Sequence, residues 1–396
     1  MVAVALYFAS AYDTIDEVSM LAELESEVMD PKTLALLKVL MMGFIAKVRV
    51  GGRESEVFTV HRGVRQGSVL SPVLFVTLMD WVLSRALNDV AGAVCVGRHG
   101  NLSDFDYADD VLLLTTSLEA AQMAIMAVAK AGSRVGLELN PKKTIWMASH
   151  VGEGSLEVGG LSVSRSATMV YLGCEMRPDG SMDGELHRRL VAANASFWKL
   201  RRLWRDRGVS VKTKARVYSA VVRGTLLYGA ETWPMKVRDL GRMGAFDRAR
   251  LRWVAGIKWP QKISSEQLMS LVDQKPVEKC LIDRRWRWLG HVLRMDENRW
   301  PRRLLMWSGG EEHGARRNRG GQKLTWIRQV VREGWDLIPW KLLGVRKPHW
   351  IRWAGGDWRG ILLGLSEDRD RWRTLVRAVV NSSGVARDGR VGSEIN

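Results

Sequence analysis

Phe105-Asp106-Tyr107-Ala108-Asp109-Asp110-Val111-Leu112-Leu113-Leu114 is the stretch on which the reading of this chain turns. Two apolar arms flank a pair of carboxylates, which predicts a hairpin over 105–114. Burial of the arms leaves Asp109 and Asp110 at the turn. Neighbouring carboxylates held rigidly there suit hard divalent cations, which take oxygen ligands. Two such ions, about 3.5–4 Å apart, activate a hydroxyl and stabilise a leaving pyrophosphate in phosphoryl transfer. Aspartate is also common in ordinary turns, so the pair alone is a weak signal. Tyr107-Ala108 before it and four apolar residues after it make it stronger.

Outward from the hairpin, short β-type runs alternate with helical stretches. Val2 to Phe8 reads as a buried strand, and Val57 to Val60 as another. Pro31 to Val48 predicts a helix with proline in its first turn. Ser71-Pro72 opens a helix whose Leu74, Leu78, Trp81 and Val82 share one face. Thr116 and Glu119 have capping-box spacing. Leu118, Ala121, Ile125 and Val128 then follow at helical period. The mixture predicts an α+β domain on an antiparallel sheet. Beyond residue 180, 185–206 and 211–227 read as helices, and the rest is Arg- and Trp-rich and mostly helical. Gly309 to Gly321, with Arg316, Arg317 and Arg319, reads as a flexible basic loop. Residues 381–396 read as a frayed tail.

Composition narrows the function class. The 396 residues are 46% hydrophobic, which fits a globular chain with a sizeable core. No apolar run reaches the ~20 residues of a membrane span. The apolar start lacks a basic leader, so it reads as a buried strand and not as a secretory signal. Three scattered cysteines, Cys95, Cys174 and Cys280, make neither a disulfide framework nor a zinc site. The expectation is a protein that is not secreted, in nucleus or cytoplasm. A net charge of +17 points to a polyanionic partner, usually nucleic acid. In Arg284-Arg285-Trp286-Arg287-Trp288, Arg284, Arg285 and Arg287 are candidate nucleic-acid contacts beside stacking tryptophans. An amphipathic helix with Trp in the core and Arg outside fits the same pattern equally well.

Several motifs in order resemble the reverse transcriptases of non-LTR (LINE-type) retrotransposons. Tyr107-Ala108-Asp109-Asp110 looks like their catalytic hairpin. Arg65-Gln66-Gly67-Ser68-Val69-Leu70-Ser71-Pro72 resembles the loop and helix beside the incoming nucleotide. Residues 136–144, with Asn140 and Lys142-Lys143, resemble the next motif. Tyr171-Leu172-Gly173 resembles the primer grip. Leu227-Tyr228-Gly229-Ala230-Glu231-Thr232-Trp233 and Arg287-Trp288-Leu289-Gly290-His291-Val292 resemble the thumb and tail of such elements. The resemblance covers roughly residues 2–330. It implies RNA-directed DNA polymerase activity with Mg²⁺ or Mn²⁺, an RNA template, a DNA primer and deoxynucleoside triphosphates. Asp109 and Asp110 would be metal-binding carboxylates. Tyr12, Arg65, Gln66 and Gly67 would line the nucleotide, with Tyr12 excluding a sugar 2′-hydroxyl or serving as a core aromatic. Lys143 would be a general acid toward pyrophosphate, or a solvated lysine after a turn.

The family pattern breaks in two places. Phe8, Ala11, Tyr12 and Asp13 match its first catalytic motif, but the leading aspartate position is Tyr7. A neutral phenol is a poor ligand for Mg²⁺, so the expectation is an incomplete metal site and a catalytically defective chain. The family's fingers would precede this motif, so the chain is expected to be N-terminally truncated. The expected organisation is a palm with partial fingers over 1–178, a helical thumb over 179–250, a basic region over 251–380 and the tail. The alternative reading is a non-catalytic nucleic-acid-binding protein derived from a retroelement.

Overall fold

The computed structural model describes residues 1–26, 30–41, 43–96, 99–149, 154–307, 326–335, 338 and 357–382. The chain divides into two units, Met1–Ser181 and Met182–Asn396. In the first, the front run forms β1 (Val2–Leu6), buried at every residue. Five further strands complete its sheet: β2 (Asp104–Tyr107), β3 (Asp110–Thr115), β4 (Ile145–Ala148), β5 (Leu156–Val158) and β6 (Leu161–Arg165). Their order is β5-β6-β4-β1-β3-β2. β1 runs antiparallel to both neighbours, with Val4 opposite Leu113 on one side and Trp146 on the other. Only the β4–β6 pair is parallel among these strands. A central strand covered on both faces has no use for polar side chains, which accounts for Val-Ala-Val-Ala-Leu.

Two helices supply the core against which this sheet packs. Helix α1 (Ser71–Leu87) begins with Pro72 at its N-terminus. Its Leu74, Leu78, Trp81 and Val82 are all buried, as the helical period predicts. Helix α2 (Leu118–Ser133) buries Ala121, Ile125 and Val128. Val2, Val4, Leu6, Val111, Leu113 and Trp146 join them in one cluster. The start of α2 differs from the expected Thr116–Glu119 box. Ser117 is the cap and accepts from the Ala120 amide at 3.1 Å, while Thr116 donates to the Gly92 carbonyl. The helix expected over 31–48 ends at Met41. Gly43 turns the chain at φ +78, and Phe44–Ala46 pairs instead with Phe58–Val60. A short hairpin of β7 (Met169–Tyr171) and β8 (Cys174–Met176) ends the unit.

The second unit is helical among the described residues. It holds α3 (Asp183–Lys199), α4 (Val211–Tyr218), α5 (Val237–Val254), α6 (Val277–Leu293), α7 (Asp357–Glu367) and α8 (Arg369–Ser382). The boundary expected at residue 250 falls inside α5. One core gathers residues from Leu186 to Leu281, and a second gathers residues from Trp286 to Val380. Helix α6 contributes to both. Of the tail expected from residue 381, Asn381 and Ser382 belong to α8, and the remainder lies outside the described residues. So does the glycine-rich basic connection with Arg316, Arg317 and Arg319. No helix among the described residues is long and apolar enough to cross a membrane.

Candidate active site at the hairpin turn

The β2–β3 register pairs Tyr107 with Asp110, so Ala108 and Asp109 form a two-residue loop. Ala108 sits in the left-handed region at φ +57. That conformation costs a non-glycine residue about 1–3 kcal/mol, and the paired apolar arms on either side hold it. Asp109 is exposed at the tip, while Asp110 is half-buried on the first residue of β3. Burial, then the Asp109 carboxylate, push the Asp110 carboxyl above its ordinary range.

Strand register decides what faces Asp110. Leu6 pairs with Val111, and side chains alternate faces along a strand. One step further, Tyr7 comes opposite Asp110, on the face that carries Ala5 and Leu112. Tyr7 is half-buried, and burial followed by the Asp110 charge raises its phenol above the usual value. Its amide donates to Thr144 Oγ1 at 3.3 Å, and its carbonyl accepts from the Asn140 amide at 2.7 Å. The position that the sequence marks as irregular therefore stands beside a hairpin carboxylate as a protonated phenol.

The loop around Gln66 is pinned to the turn after β1. Gly63 donates to the Ile15 carbonyl, and Val64 to the Tyr12 carbonyl, both at 2.8 Å. A Cβ on Gly63 would lie 2.9 Å from Tyr12 O, so only glycine allows this approach. Gln66 Nε2 donates to Asp13 Oδ1 at 3.2 Å. Arg65, Gln66 and Gly67 are exposed. Gly67 holds φ +93 with nothing within 4 Å of its Cβ position, so its glycine is set by backbone conformation and not by protein crowding. Tyr12 stacks on Phe75 of α1, with ring centroids 4.2 Å apart and planes 10° apart. Burial, Asp109 and Tyr107 raise its phenol. The ring is both a packed aromatic and a neighbour of the carboxylate tip.

Tyr171, Leu172 and Gly173 form the end of the β7–β8 hairpin, with Leu172 at φ +47 and Gly173 at φ +72. The Tyr171 hydroxyl donates to the Phe105 carbonyl at 3.1 Å and lies 3.4 Å from the Asp110 carbonyl. Burial, Asp106, Asp110 and Asp104 push it up to about 12. This side chain thus ties the last hairpin to the base of the carboxylate hairpin. Lys143 is exposed in the turn after Asn140, whose Oδ1 accepts from both the Lys142 and Lys143 amides.

Two acids escape the motif reading. Asp104 and Asp106 alternate on β2, and Asp104 lies within electrostatic reach of Asp80 on α1. Burial, then Asp106 and Asp80, raise the Asp104 carboxyl against a 2.5 Å hydrogen bond from Ser103. The period-2 spacing Asp104-Phe105-Asp106 was the available signal. In the second unit, the candidate arginines separate. Arg285 is fully buried, and its Nη2 donates to the Trp233 carbonyl at 2.6 Å. Its assignment as a nucleic-acid contact is corrected: it is an internal strut. Arg284 reaches the Leu227 carbonyl at 2.7 Å and stays partly exposed, and Arg287 is 71% exposed beside Asp283.

The donor set does not fit a two-metal centre. Among the described residues, no three His, Cys, Asp or Glu side chains gather where a cation would be held. Asp109 and Asp110 supply carboxylate oxygens, but their cross-strand neighbour is a phenol whose proton is held more tightly than usual.

A mostly antiparallel sheet backed by two helices, with paired acids at a hairpin beside its central strand, is the architecture of a polymerase palm. Residues 2–176 match the family described as reverse transcriptase (RNA-dependent DNA polymerase). This part of the chain carries the reverse transcriptase match, and several of the relatives it resembles are Pol polyproteins of R2 retrotransposable elements. A transposon-derived protein of Caenorhabditis elegans is 22% identical over 267 residues, covering 63% of this chain and 94% of that protein. A Pol polyprotein of the R2 element of Popillia japonica is 26% identical over 192 residues, covering 48% of this chain and 29% of the polyprotein. The chain thus spans under a third of that polyprotein and nearly all of the nematode protein. A telomerase structure from Candida albicans overlaps 72% of this chain and 47% of its own, at 13% identity and a TM-score of 0.32, too loose an overlap to bear on the site.

Proposed function

We propose that this chain is a retroelement palm that holds an RNA template and DNA primer without extending the primer. The observation that carries the reading is Tyr7 opposite Asp110. Where a third carboxylate would complete a cation site, the chain offers a neutral phenol. In this reading Asp109 and Asp110 face the primer end. Gln66, Gly67, Arg65 and Tyr12 line the nucleotide side, and the turn of Tyr171, Leu172 and Gly173 lies along the primer. Lys143 is a surface cation for phosphate. The net charge of +17 supports polyanion binding. Deoxynucleoside triphosphates and Mg²⁺ or Mn²⁺ belong to the family's chemistry.

The test uses a labelled DNA primer on an RNA template, with all four deoxynucleotides and either cation. The expected outcome is a shifted duplex with no extension above that of Asp109→Ala. Extension by the unsubstituted chain that Asp109→Ala abolishes would overturn the reading. Tyr7→Asp places a carboxylate opposite Asp110, and Mn²⁺ affinity read by loss of the free-ion EPR signal should rise about tenfold or more. Equal Mn²⁺ binding with Tyr7 in place would mean that the site is already complete.

A further inference from the structure

A cavity lies in the first unit where α1 and α2 end side by side. It has a volume of about 520 Å³ and is lined on one side by Trp81, Arg85, Asn88 and Asp89, and on the other by Lys130 and Arg134. None of the hairpin residues lines it. Buried Ala86 and Ala131 lie beneath it, and its rim carries three exposed cations and one acid. Among the described residues, none of Arg85, Lys130 and Arg134 has a carboxylate within ion-pairing distance. Arg85 instead lies over the Trp81 ring, 5.7 Å from its centroid.

The ordinary explanation for cations here is the helix dipole. Both helices present their C-terminal ends, and each end is equivalent to about half a negative charge. Together they offset about one of the three cations, and Asp89 offsets a second. About one positive charge is left unmatched at a concave rim. A ligand bearing acceptor oxygens would meet this unmatched charge.

We infer that this cavity binds a small phosphate-bearing anion of nucleotide size, separately from the hairpin site. Arginine and lysine from two helices suit two or more phosphoryl groups, which arginine can grip in bidentate fashion. A carboxylate of single charge would use fewer of them. The volume falls within the roughly 300–1,000 Å³ range of small-ligand sites. A nucleic-acid backbone, by contrast, follows an extended charged groove, and this cavity is bounded by two helix ends.

The experiment is calorimetric titration of the full chain with inorganic pyrophosphate, ATP and a single-stranded oligonucleotide at about 0.15 M salt. A pocket variant carries Arg85→Ala, Lys130→Ala and Arg134→Ala. A reference variant removes three exposed charges from the second unit, Arg201→Ala, Arg202→Ala and Arg205→Ala. Pyrophosphate and ATP affinity should fall about tenfold or more in the pocket variant and stay within about twofold in the reference. ATP should bind more tightly than pyrophosphate. Lys130→Glu, a single exposed change, should weaken both by about fivefold or more and guards against misfolding of the triple variant. Equal losses in the pocket and reference variants would reduce the effect to diffuse charge and overturn the inference. So would no detectable binding by the unsubstituted chain at about 1 mM ligand. A pocket variant that loses only oligonucleotide affinity would reassign the surface to a nucleic-acid backbone.

Discussion

The two units treat charge in opposite ways. In the first, acids adjoin acids: Asp104 and Asp106 alternate on β2, and Asp109 and Asp110 are neighbours at the hairpin turn. Burial, then Asp106 and Asp80, raise the Asp104 carboxyl, and burial, then Asp109, raise that of Asp110. In the interior of the second, two buried acids are matched by arginines. Arg223 grips Asp247 through two 2.7 Å contacts, and the Tyr218 hydroxyl adds a third bond to the same carboxylate. Buried Glu185 takes Arg188 and Arg189, three and four positions further along α3, at 2.7 and 2.6 Å. Matched charge is architecture, because each partner compensates the other's loss of water. Unmatched like charge raises the energy of the fold, and such groups cluster where chemistry or binding happens.

Breaking a matched pair should give the largest effect. Asp247→Ala strands the buried Arg223 guanidinium, and loss of a partner from a buried pair costs about 3–5 kcal/mol. Urea unfolding followed by tryptophan fluorescence should show the second unit destabilised by that amount. A loss below about 1 kcal/mol would mean that water reaches Arg223 and that the pairing is not structural.

Relieving an unmatched acid should have a smaller effect of opposite sign. The Asp104 carboxyl is raised in the fold, so the folded state binds its proton more tightly than the unfolded chain does. Stability from this group is present at low pH and is lost as pH rises through the folded-state value. Asp104→Asn removes that loss, and its amide oxygen still accepts from Ser103. The variant should melt at a higher temperature than the parent at pH 7, and the difference should vanish near pH 3. An unchanged or lower melting temperature at pH 7 would show that the acid cluster is not under electrostatic tension.

The smallest effect should come from exposed arginines. Arg284→Ala with Arg287→Ala should change stability by no more than about 1 kcal/mol, since exposed pairs contribute little. If these two arginines touch phosphate, the slope of log affinity against log salt for an RNA–DNA duplex should fall by about 2. An unchanged slope would leave both as solvated helix charges.

Much of the palm was legible because its elements follow simple periods. The all-apolar front run marked a central strand, and the 3.6-residue spacing marked the buried faces of both helices. The hairpin was legible because its arms are apolar and its tip is acidic. What sequence spacing left hidden depends on register. Tyr7 and Asp110 face each other only because Leu6 pairs with Val111, a pairing across more than a hundred residues. Arg285 was misread because Arg284-Arg285-Trp286-Arg287 looks basic throughout, whereas helical geometry turns Arg285 inward with Trp286. The α2 cap moved one residue because Thr116 spends its hydroxyl on Gly92.

The place of β1 in its sheet also bears on how this polypeptide comes to be assembled. It is made before either of its two partners, residues 110–115 and 145–148. At ribosomal speeds of about 5–20 residues per second, the most apolar strand of the sheet waits on the order of ten seconds for both neighbours. Throughout that interval its backbone has no sheet edge to join. The nascent chain therefore depends on chaperones, or on early burial against the first helices, more than a protein whose central strand is synthesised late.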